Sequence, residues 1–184
     1  MTFKSLQELL QTISTSLSSL ELAFASHSPP LDFPSLSSPS PSPSPADIFI
    51  KSDPQLGHAI NKIVGACGQL ATSLRDPFLV LCDGAMSYHL ASCLRFVETT
   101  HVIEILREHD ANANTNPGMH VRDIVRVLSE YGVDIDQGKM AHVLRLLATH
   151  HYLREVRPDC FARNRVSAGL DTGKSVRDVL EKWV

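Results

Sequence analysis

The sequence predicts a mainly α-helical fold with one short β-hairpin. Apolar residues recur at steps of three and four over most of the 184 residues, which is the period of an α-helix. Near the end of the chain, Leu153 to Val156 and Cys160 to Arg163 are predicted as two strands, because the turn residues Arg157, Pro158 and Asp159 separate them. A serine- and proline-rich stretch at residues 26–47 interrupts the helical pattern.

Composition limits the size of the core and the classes of partner. Hydrophobic residues make up 43% of the chain, which suffices for one small domain with appendages. The formal net charge is -3, from 17 basic and 20 acidic residues. No overall positive field therefore exists to hold nucleic acid or an anionic membrane surface.

Cysteine spacing and apolar runs bear on the compartment. The four cysteines, Cys67, Cys82, Cys93 and Cys160, form no CxxC pair, so we expect free thiols in a reducing compartment. No secretory signal pattern opens the chain, and no apolar run approaches the ~20 residues of a membrane helix. The sequence therefore predicts a soluble, cytoplasmic protein.

The chain divides into three predicted segments. Residues 1–25 carry an apolar face with helical spacing and predict one helix. Residues 26–54 are predicted as a disordered linker, because alternating serine and proline remove backbone donors and fix φ. Residues 55–184 are predicted as the folded domain.

The domain is predicted to contain a series of helices. The first spans 55–74, and the second follows Pro77 and runs through Met86, Leu90, Leu94 and Val97. The third ends at an Asn-rich loop that closes with Pro117-Gly118. Two further helices follow, the first with Gly132 at its C′ position and the second capped by Asp134 or Asp136.

Two helices joined by a short turn and followed by a hairpin form a winged-helix arrangement. The apolar residues at helical spacing, together with one from the hairpin, make up its predicted core: Ile124, Val125, Leu128, Val143, Leu144, Leu147 and Phe161.

The helices between Asp83 and Glu108 carry more apolar surface than one small winged unit can cover. One stripe consists of Met86, Leu90, Leu94 and Val97. Because Tyr88, Cys93, Phe96 and Val102 lie on other faces, some of this surface should contact a partner. We expect a symmetric dimer with the stripe at its interface.

No residues in the sequence form a recognisable catalytic, cofactor-binding or metal site. His150 and His151 are neighbours, so they point about 100° apart on a helix and lack a third ligand. Phosphate-binding and nucleophile-elbow glycine motifs are absent. The run from Asp171 to Ser175 is better explained by helix capping through Asp171 or Thr172.

Nucleic-acid binding is an alternative for the winged unit. Lys139, His142, Arg145 and Thr149 would project from the helix that enters the major groove in DNA-binding relatives, and Arg154, Arg157, Arg163 and Arg165 would decorate the wing. Against this interpretation, six carboxylates interleave with these residues: Asp123, Glu130, Asp134, Asp136, Glu155 and Asp159. A phosphate-facing surface would carry fewer acidic groups.

The segment from Lys139 to Val176 resembles the N-terminal dimerisation domain of S-adenosylmethionine-dependent small-molecule O-methyltransferases of fungal secondary metabolism. The matching pieces are RLLATHH at 145–151, REV with Pro158, the Asn164–Ser167 run and LDTGKS at 170–175. Weaker similarity extends back through residues 85–108 and the IVGACGQL run.

The resemblance implies a winged-helix domain that pairs subunits, with no role in DNA binding. In that family the domain forms part of the substrate-pocket wall, and a following Rossmann-like domain binds S-adenosylmethionine. The chain reaches Val184 before the family's cofactor motif or catalytic histidine. We therefore expect a truncated, inactive module that pairs with itself or with a full-length methyltransferase; a standalone winged-helix DNA-binding regulator is the alternative.

Overall fold

The computed structural model describes residues 2–40, 42–113 and 117–181. They form two compact units. Unit 1 consists of Met1–Pro34 and Pro43–Met86, and unit 2 consists of Ser35–Ser42 and Ser87–Val184. The middle of the predicted Asn-rich loop, residues 114–116, lies outside the described residues.

The regular secondary structure described in unit 1 is helical. Its helices are α1 (Phe3–Ser26), α2 (Pro45–Ser52), α3 (Pro54–Leu74) and α4 (Pro77–Ala85). Helices α1 and α3 pack on each other around a small buried cluster of Leu20, Phe24, Ala46 and Leu56. Helices α1 and α3 occupy the two stretches of this unit in which the sequence pattern predicts helices.

Helix α2 corrects the prediction that residues 26–54 form a linker without structure. Ser44 caps this helix, and Pro45 occupies its first turn. Proline is favoured at that position, because its missing N–H would have no helical partner there and its φ is already helical. The prediction treated every proline of the stretch as a helix breaker, whereas Pro45 begins a helix.

Unit 2 combines helices with a small sheet. In chain order its elements are α5 (Tyr88–Thr99), α6 (Val102–Ala113), β1 (Met119–His120), α7 (Val121–Glu130), α8 (Gln137–Thr149), β2 (Arg154–Arg157), β3 (Cys160–Ala162), a 3-10 helix (Ser167–Leu170) and α9 (Val176–Leu180). The prediction of one helix from Pro77 through Val97 is wrong, because α4 ends at Ala85 and α5 begins at Tyr88. The last turn of α4 contains Gly84, a weak helix former.

The three strands form an antiparallel sheet in the order β1-β3-β2. The predicted hairpin is confirmed with slightly different bounds, and β2 carries an irregularity between Glu155 and Arg157. Strand β1 was not predicted, because two residues are too few to show an alternating pattern. Its Met119 pairs with Phe161 of β3.

Helix ends follow local capping chemistry. Asp136 caps α8 by accepting a hydrogen bond from Lys139 N, which settles the choice between Asp134 and Asp136. Gly132 follows α7 with φ +77°, as predicted for a C′ glycine. The prediction that Asp171 or Thr172 caps the last helix is wrong, because Ser175 caps α9 by accepting from Asp178 N.

The core of unit 2 lies between its helices and the sheet. Of the residues predicted for a winged-helix core, Ile124, Leu128, Leu144, Leu147 and Phe161 are at most 1% exposed. The other two, Val125 and Val143, are half-buried against the same core. Every helix among the described residues is too short or too polar to cross a lipid bilayer.

Candidate functional site

A cluster of hydrogen-bonded polar and charged side chains in unit 2 lies between helix α6 and the segment that follows the hairpin. Glu104 of α6 is only 2% exposed. Its Oε1 accepts hydrogen bonds from the Thr172 hydroxyl at 2.7 Å and the Thr172 N–H at 3.1 Å. One turn along α6, Glu108 Oε1 accepts from Val176 N at 2.7 Å. Two carboxylates of one helix therefore hold the backbone of the C-terminal segment.

Burial and hydrogen bonding act in opposite directions on Glu104. Desolvation is the largest single effect and raises the pKa of the carboxyl. Hydrogen bonds from the Thr172 hydroxyl and N–H, a backbone hydrogen bond and the nearby His101 lower it, so the net pKa lies below its ordinary value. The ionised carboxylate is thus the form that the fold holds. In this structure the Glu104 carboxylate acts as a hydrogen-bond acceptor.

Arg163 joins the same region through two carboxylates. Its Nε lies 3.3 Å from Asp110 Oδ2, and its Nη1 lies 3.2 Å from Asp171 Oδ2. The Arg163 side chain is 9% exposed, so the prediction that it decorates an exposed wing is wrong. Its partners lie 53 residues before it and 8 residues after it, and no local pattern indicates them.

Arg107 completes the network from the α6 side. Its Nη1 donates to Asp171 Oδ1 at 2.7 Å, and its other terminal nitrogen donates to the Lys174 carbonyl. Desolvation raises the pKa of Asp110, and Arg163 lowers it by a smaller amount, so the net pKa is above the ordinary value. The network is ionic and structural; it leaves no nucleophile exposed beside a base.

A cleft of about 730 Å³ opens in unit 2 beside this network. Helix α5, the α5–α6 turn, the turn before β2 and the 3-10 helix line it with Ala91, Leu94, Arg95, Glu98, Thr99, His101, Tyr152, Val166 and Leu170. Its size and mostly apolar lining fit a small organic molecule better than an ion.

His101 is the unusual residue of this cleft. It has a left-handed backbone conformation with φ +54°, and its Nδ1 is buried without a hydrogen-bond partner. The same nitrogen lies 3.6 Å from Glu104 Oε1. The histidine therefore connects the cleft with the buried carboxylate of α6. The sequence patterns did not identify His101. Its strained backbone, a feature that often occurs at functional sites, is visible only in the structure.

Unit 1 has an apolar groove of its own, of about 750 Å³. Helix α1, the loop after it and helix α3 form the walls. The rings of Phe24 and Phe33, which both line the groove, lie at 40° to each other with centroids 5.6 Å apart. Phe33 and Val64 are more than half exposed. This groove is a surface for apolar contact, and it contains no arrangement typical of catalysis.

The predicted dimer stripe does not lie on one exposed surface. Val97 is 1% exposed inside the core of unit 2, so it does not lie on the surface of this unit. Leu90 and Leu94 are half-buried against that core. Met86, at the end of unit 1, is 51% exposed. Amphipathic spacing predicted the stripe, but most of the stripe packs against neighbours within unit 2.

Other apolar residues of unit 1 are exposed. On α4, Phe78 and Leu81 are each 71% exposed, and Leu79 is 53% exposed. Aromatic and leucine side chains on one short helix are an unusual concentration of exposed apolar surface.

The histidines that follow α8 take part in ending the helix. His150 is the C-cap of α8, and His151 adopts a left-handed conformation with φ +61°. Among residues 2–40, 42–113 and 117–181, no group of three or more His, Cys, Asp or Glu residues is arranged to hold a metal ion.

Several of the basic residues considered for nucleic acid have partners within the protein. Arg145 of α8 lies 2.6 Å from Asp159 and 3.6 Å from Glu155, both in the hairpin. Arg157 Nε lies 3.2 Å from Cys160 Sγ. A guanidinium held by two carboxylates has less charge to offer a phosphate.

Comparison with known proteins identifies fungal O-methyltransferases as relatives of this chain. No protein-family model matches it. It is 38% identical over 72% of its length to an O-methyltransferase of Armillaria gallica, and 32% identical over 64% of its length to the 3-O-methyltransferase 2 of Phanerochaete chrysosporium. It is also 32% identical over 69% of its length to the 4-O-methyltransferase 1 of the same fungus.

The matched regions cover 26%, 24% and 25% of these three relatives. The chain thus spans about a quarter of the length of the curated relatives it matches. Over roughly two thirds of its own residues, it is a homologue of that quarter of the fungal O-methyltransferases.

Proposed function

We propose that this chain is the dimerisation and substrate-pocket-wall module of a small-molecule, S-adenosylmethionine-dependent O-methyltransferase. The observation that carries the proposal is the 32–38% identity to fungal O-methyltransferases over 64–72% of the chain. Catalytic chemistry is not part of the proposal for these residues.

The order of elements in unit 2 supports a winged-helix unit within this module. Helix α6, strand β1, helices α7 and α8 and the β2–β3 hairpin follow one another, and the three strands pair in the order β1-β3-β2. A helix-turn-helix followed by a hairpin is the arrangement that the sequence predicts. Arg145 is paired with carboxylates of the hairpin and has less charge to offer DNA. This pairing favours subunit association over DNA binding as the role of the unit.

Exposed apolar residues on helix α4 support the dimerisation role. Phe78 and Leu81, each 71% exposed, replace the buried Val97 as the residues that we assign to the contact. Obligate homodimer interfaces are richer in apolar residues than the remaining surface. The partner is a second copy of this chain or a full-length methyltransferase.

The cleft of unit 2 is the surface that we assign to the pocket wall. Leu94, Tyr152 and Leu170 supply apolar contact, and Arg95 and His101 are polar residues of its lining. A few polar groups on an apolar wall are typical of sites for small organic molecules.

The described residues do not fit the methyl donor. S-adenosylmethionine is held in Rossmann-like folds at a glycine-rich turn that follows a parallel strand. The three strands of the described part are antiparallel and two to four residues long. No step of methyl transfer is therefore assigned to these residues.

Light scattering of the purified chain tests the dimerisation role. The wild type should have twice the monomer mass of 20.2 kDa, and the double variant Phe78→Asp/Leu81→Asp should have the monomer mass. Leu22→Asp is the matched control, because Leu22 is 73% exposed on α1 and outside the proposed contact. A folded wild-type monomer at high protein concentration contradicts the dimer.

Calorimetric titration tests whether the chain binds the methyl donor. A saturable S-adenosylmethionine site contradicts a module without cofactor binding.

A further inference from the structure

The serine- and proline-rich stretch at residues 26–47 contains several Ser-Pro pairs, which have no role in the proposed methyltransferase module. Besides Ser28-Pro29, three of its Ser-Pro pairs, Ser38-Pro39, Ser42-Pro43 and Ser44-Pro45, lie within the described residues. Ser38 and Ser42 are exposed, and all three serines lie outside helices and strands. Proline-directed serine/threonine kinases act on a serine that precedes proline in an extended chain. Ser44 already has extended dihedral angles, φ -70° and ψ 162°.

We propose that Ser44 is a phosphorylation site and that a phosphate there releases helix α2 from the apolar cluster of unit 1. In the transfer, Ser44 Oγ bonds to the γ-phosphorus of ATP. The bond from that phosphorus to the β,γ-bridging oxygen breaks, ADP leaves, and the hydroxyl proton passes to the base of the kinase. The product is a phosphoserine at the N-cap of α2.

Ser44 differs from the other serines because its hydroxyl holds the helix end. The hydroxyl donates to Asp47 Oδ2 at 2.7 Å and accepts from Asp47 N at 3.2 Å. The Ser44 N–H donates to the same carboxylate oxygen at 2.8 Å. This reciprocal arrangement is a capping box. Phosphorylation removes the hydroxyl donor and places a phosphate beside the Asp47 carboxylate.

Two electrostatic effects then compete at the start of α2. A phosphate near a helix N-terminus is favoured by the helix dipole, which amounts to about half a charge. Repulsion from Asp47 opposes it, because that carboxylate carries a full negative charge and lies one hydrogen-bond length from Oγ. The repulsion is the larger effect, so the first turn of α2 should open.

Opening of α2 affects the core of unit 1. Ala46 is 4% exposed within the buried cluster, and Phe49 and Ile50 pack against it. The rings of Phe49 and Phe24 meet edge to face with centroids 5.4 Å apart. A helix of eight residues has little stability alone, so loss of its cap and loss of this packing occur together. Phosphorylation therefore exposes Phe24 and its neighbours.

Kinase treatment tests whether Ser44 is a site. The purified chain is incubated with a proline-directed kinase and ATP, and phosphopeptides are assigned by mass spectrometry. We expect phosphate on Ser44, and its loss in Ser44→Ala. Absence of phosphate from Ser44 in the wild type overturns the proposed site.

Hydrogen exchange of residues 46–52 tests the structural consequence. In chains with phosphoserine encoded at position 44, these amides should exchange about tenfold faster than in the unmodified chain. Phosphoserine at position 42 is the matched control and should leave them unchanged. In an Asp47→Asn background the repulsion is absent, so phosphate at 44 should no longer accelerate exchange. Unchanged or slower exchange in the Asp47 background, or equal acceleration in both backgrounds, overturns the release mechanism.

Discussion

Glu104 and Thr172 lie 68 residues apart in the sequence and share two hydrogen bonds in the structure. The carboxylate of Glu104 accepts from both the hydroxyl and the backbone N–H of Thr172. Thr172 follows the hairpin, and Glu104 belongs to α6, which supplies residues to the core of unit 2. This pair therefore fixes the C-terminal segment to α6.

Replacement of Glu104 tests the strength of this link. Glu104→Ala removes both hydrogen bonds, and we expect the free energy of unfolding of unit 2 to fall by about 2 kcal/mol, because hydrogen bonds to charged groups contribute more than neutral ones. Urea denaturation followed by tyrosine fluorescence measures it, since Tyr88, Tyr131 and Tyr152 all belong to this unit. The control Glu98→Ala, at an exposed position, should change it by less than about 0.5 kcal/mol. Equal effects of the two variants would contradict the link.

The same carboxylate should make unit 2 sensitive to acid. Its pKa is below the ordinary value in the folded protein. The stabilisation is therefore complete above the unfolded-state pKa of about 4.3 and is lost as pH falls through the folded-state pKa. Glu104→Gln keeps an acceptor but no charge. The difference in unfolding free energy between wild type and Glu104→Gln should be constant near neutral pH and shrink below about pH 4. A difference that grows on acidification would contradict this sign.

Arg163 should be one of the most sensitive positions in unit 2. Its side chain is 9% exposed, and the side chains of its partners Asp110 and Asp171 are 10% and 2% exposed. Removal of one member of a buried ionic group leaves charge without compensation, so Arg163→Ala should lower the free energy of unfolding by about 3–5 kcal/mol. Because Asp110 would then lack this cation, the double variant Arg163→Ala/Asp110→Asn should be less destabilised than Arg163→Ala alone.

An exposed ion pair gives the comparison for Arg163. Arg177 of α9 pairs with Glu181, the C-cap of this helix, and their side chains are 75% and 54% exposed. Arg177→Ala should therefore change the free energy of unfolding far less than Arg163→Ala in the same urea experiment, because solvent screens an exposed pair. If Arg163→Ala behaves like Arg177→Ala, the buried network does not support the fold.

Sequence patterns predicted the long elements and missed contacts that depend on distant residues. Helices α1 and α3, of 24 and 21 residues, have enough turns for their apolar spacing to be unmistakable. The hairpin was predicted from its turn residues. The burial of Arg163 could not be predicted, because Asp110 lies 53 residues away. The position of Val97 shows the same limit, since helical spacing identifies an apolar face but does not say which neighbour covers it.

Gly118 provides a test of how the hairpin packs against the chain before α7. Its φ is +74°, and a Cβ at this position would lie 2.5 Å from Val156 Cγ2 and 3.2 Å from the Phe161 carbonyl oxygen. Gly132 has nearly the same φ, +77°, but a Cβ there would meet no other side chain or backbone atom within 4 Å. The two glycines therefore separate backbone strain from steric overlap.

Gly132→Ala should lower the free energy of unfolding by about 1–2 kcal/mol, the cost of a left-handed backbone for a residue with a side chain. Gly118→Ala should lower it further, because overlap with Val156 and Phe161 adds to the same strain. Val156 is part of the exposed edge of the hairpin and is 37% exposed, so its side chain can be shortened at small cost. In a Val156→Ala background, Gly118→Ala should then approach the effect of Gly132→Ala, with a remainder from the Phe161 carbonyl. Urea denaturation of the wild type and these variants measures the differences, and equal effects of Gly118→Ala and Gly132→Ala in the wild-type background would show that the hairpin does not pack on Gly118.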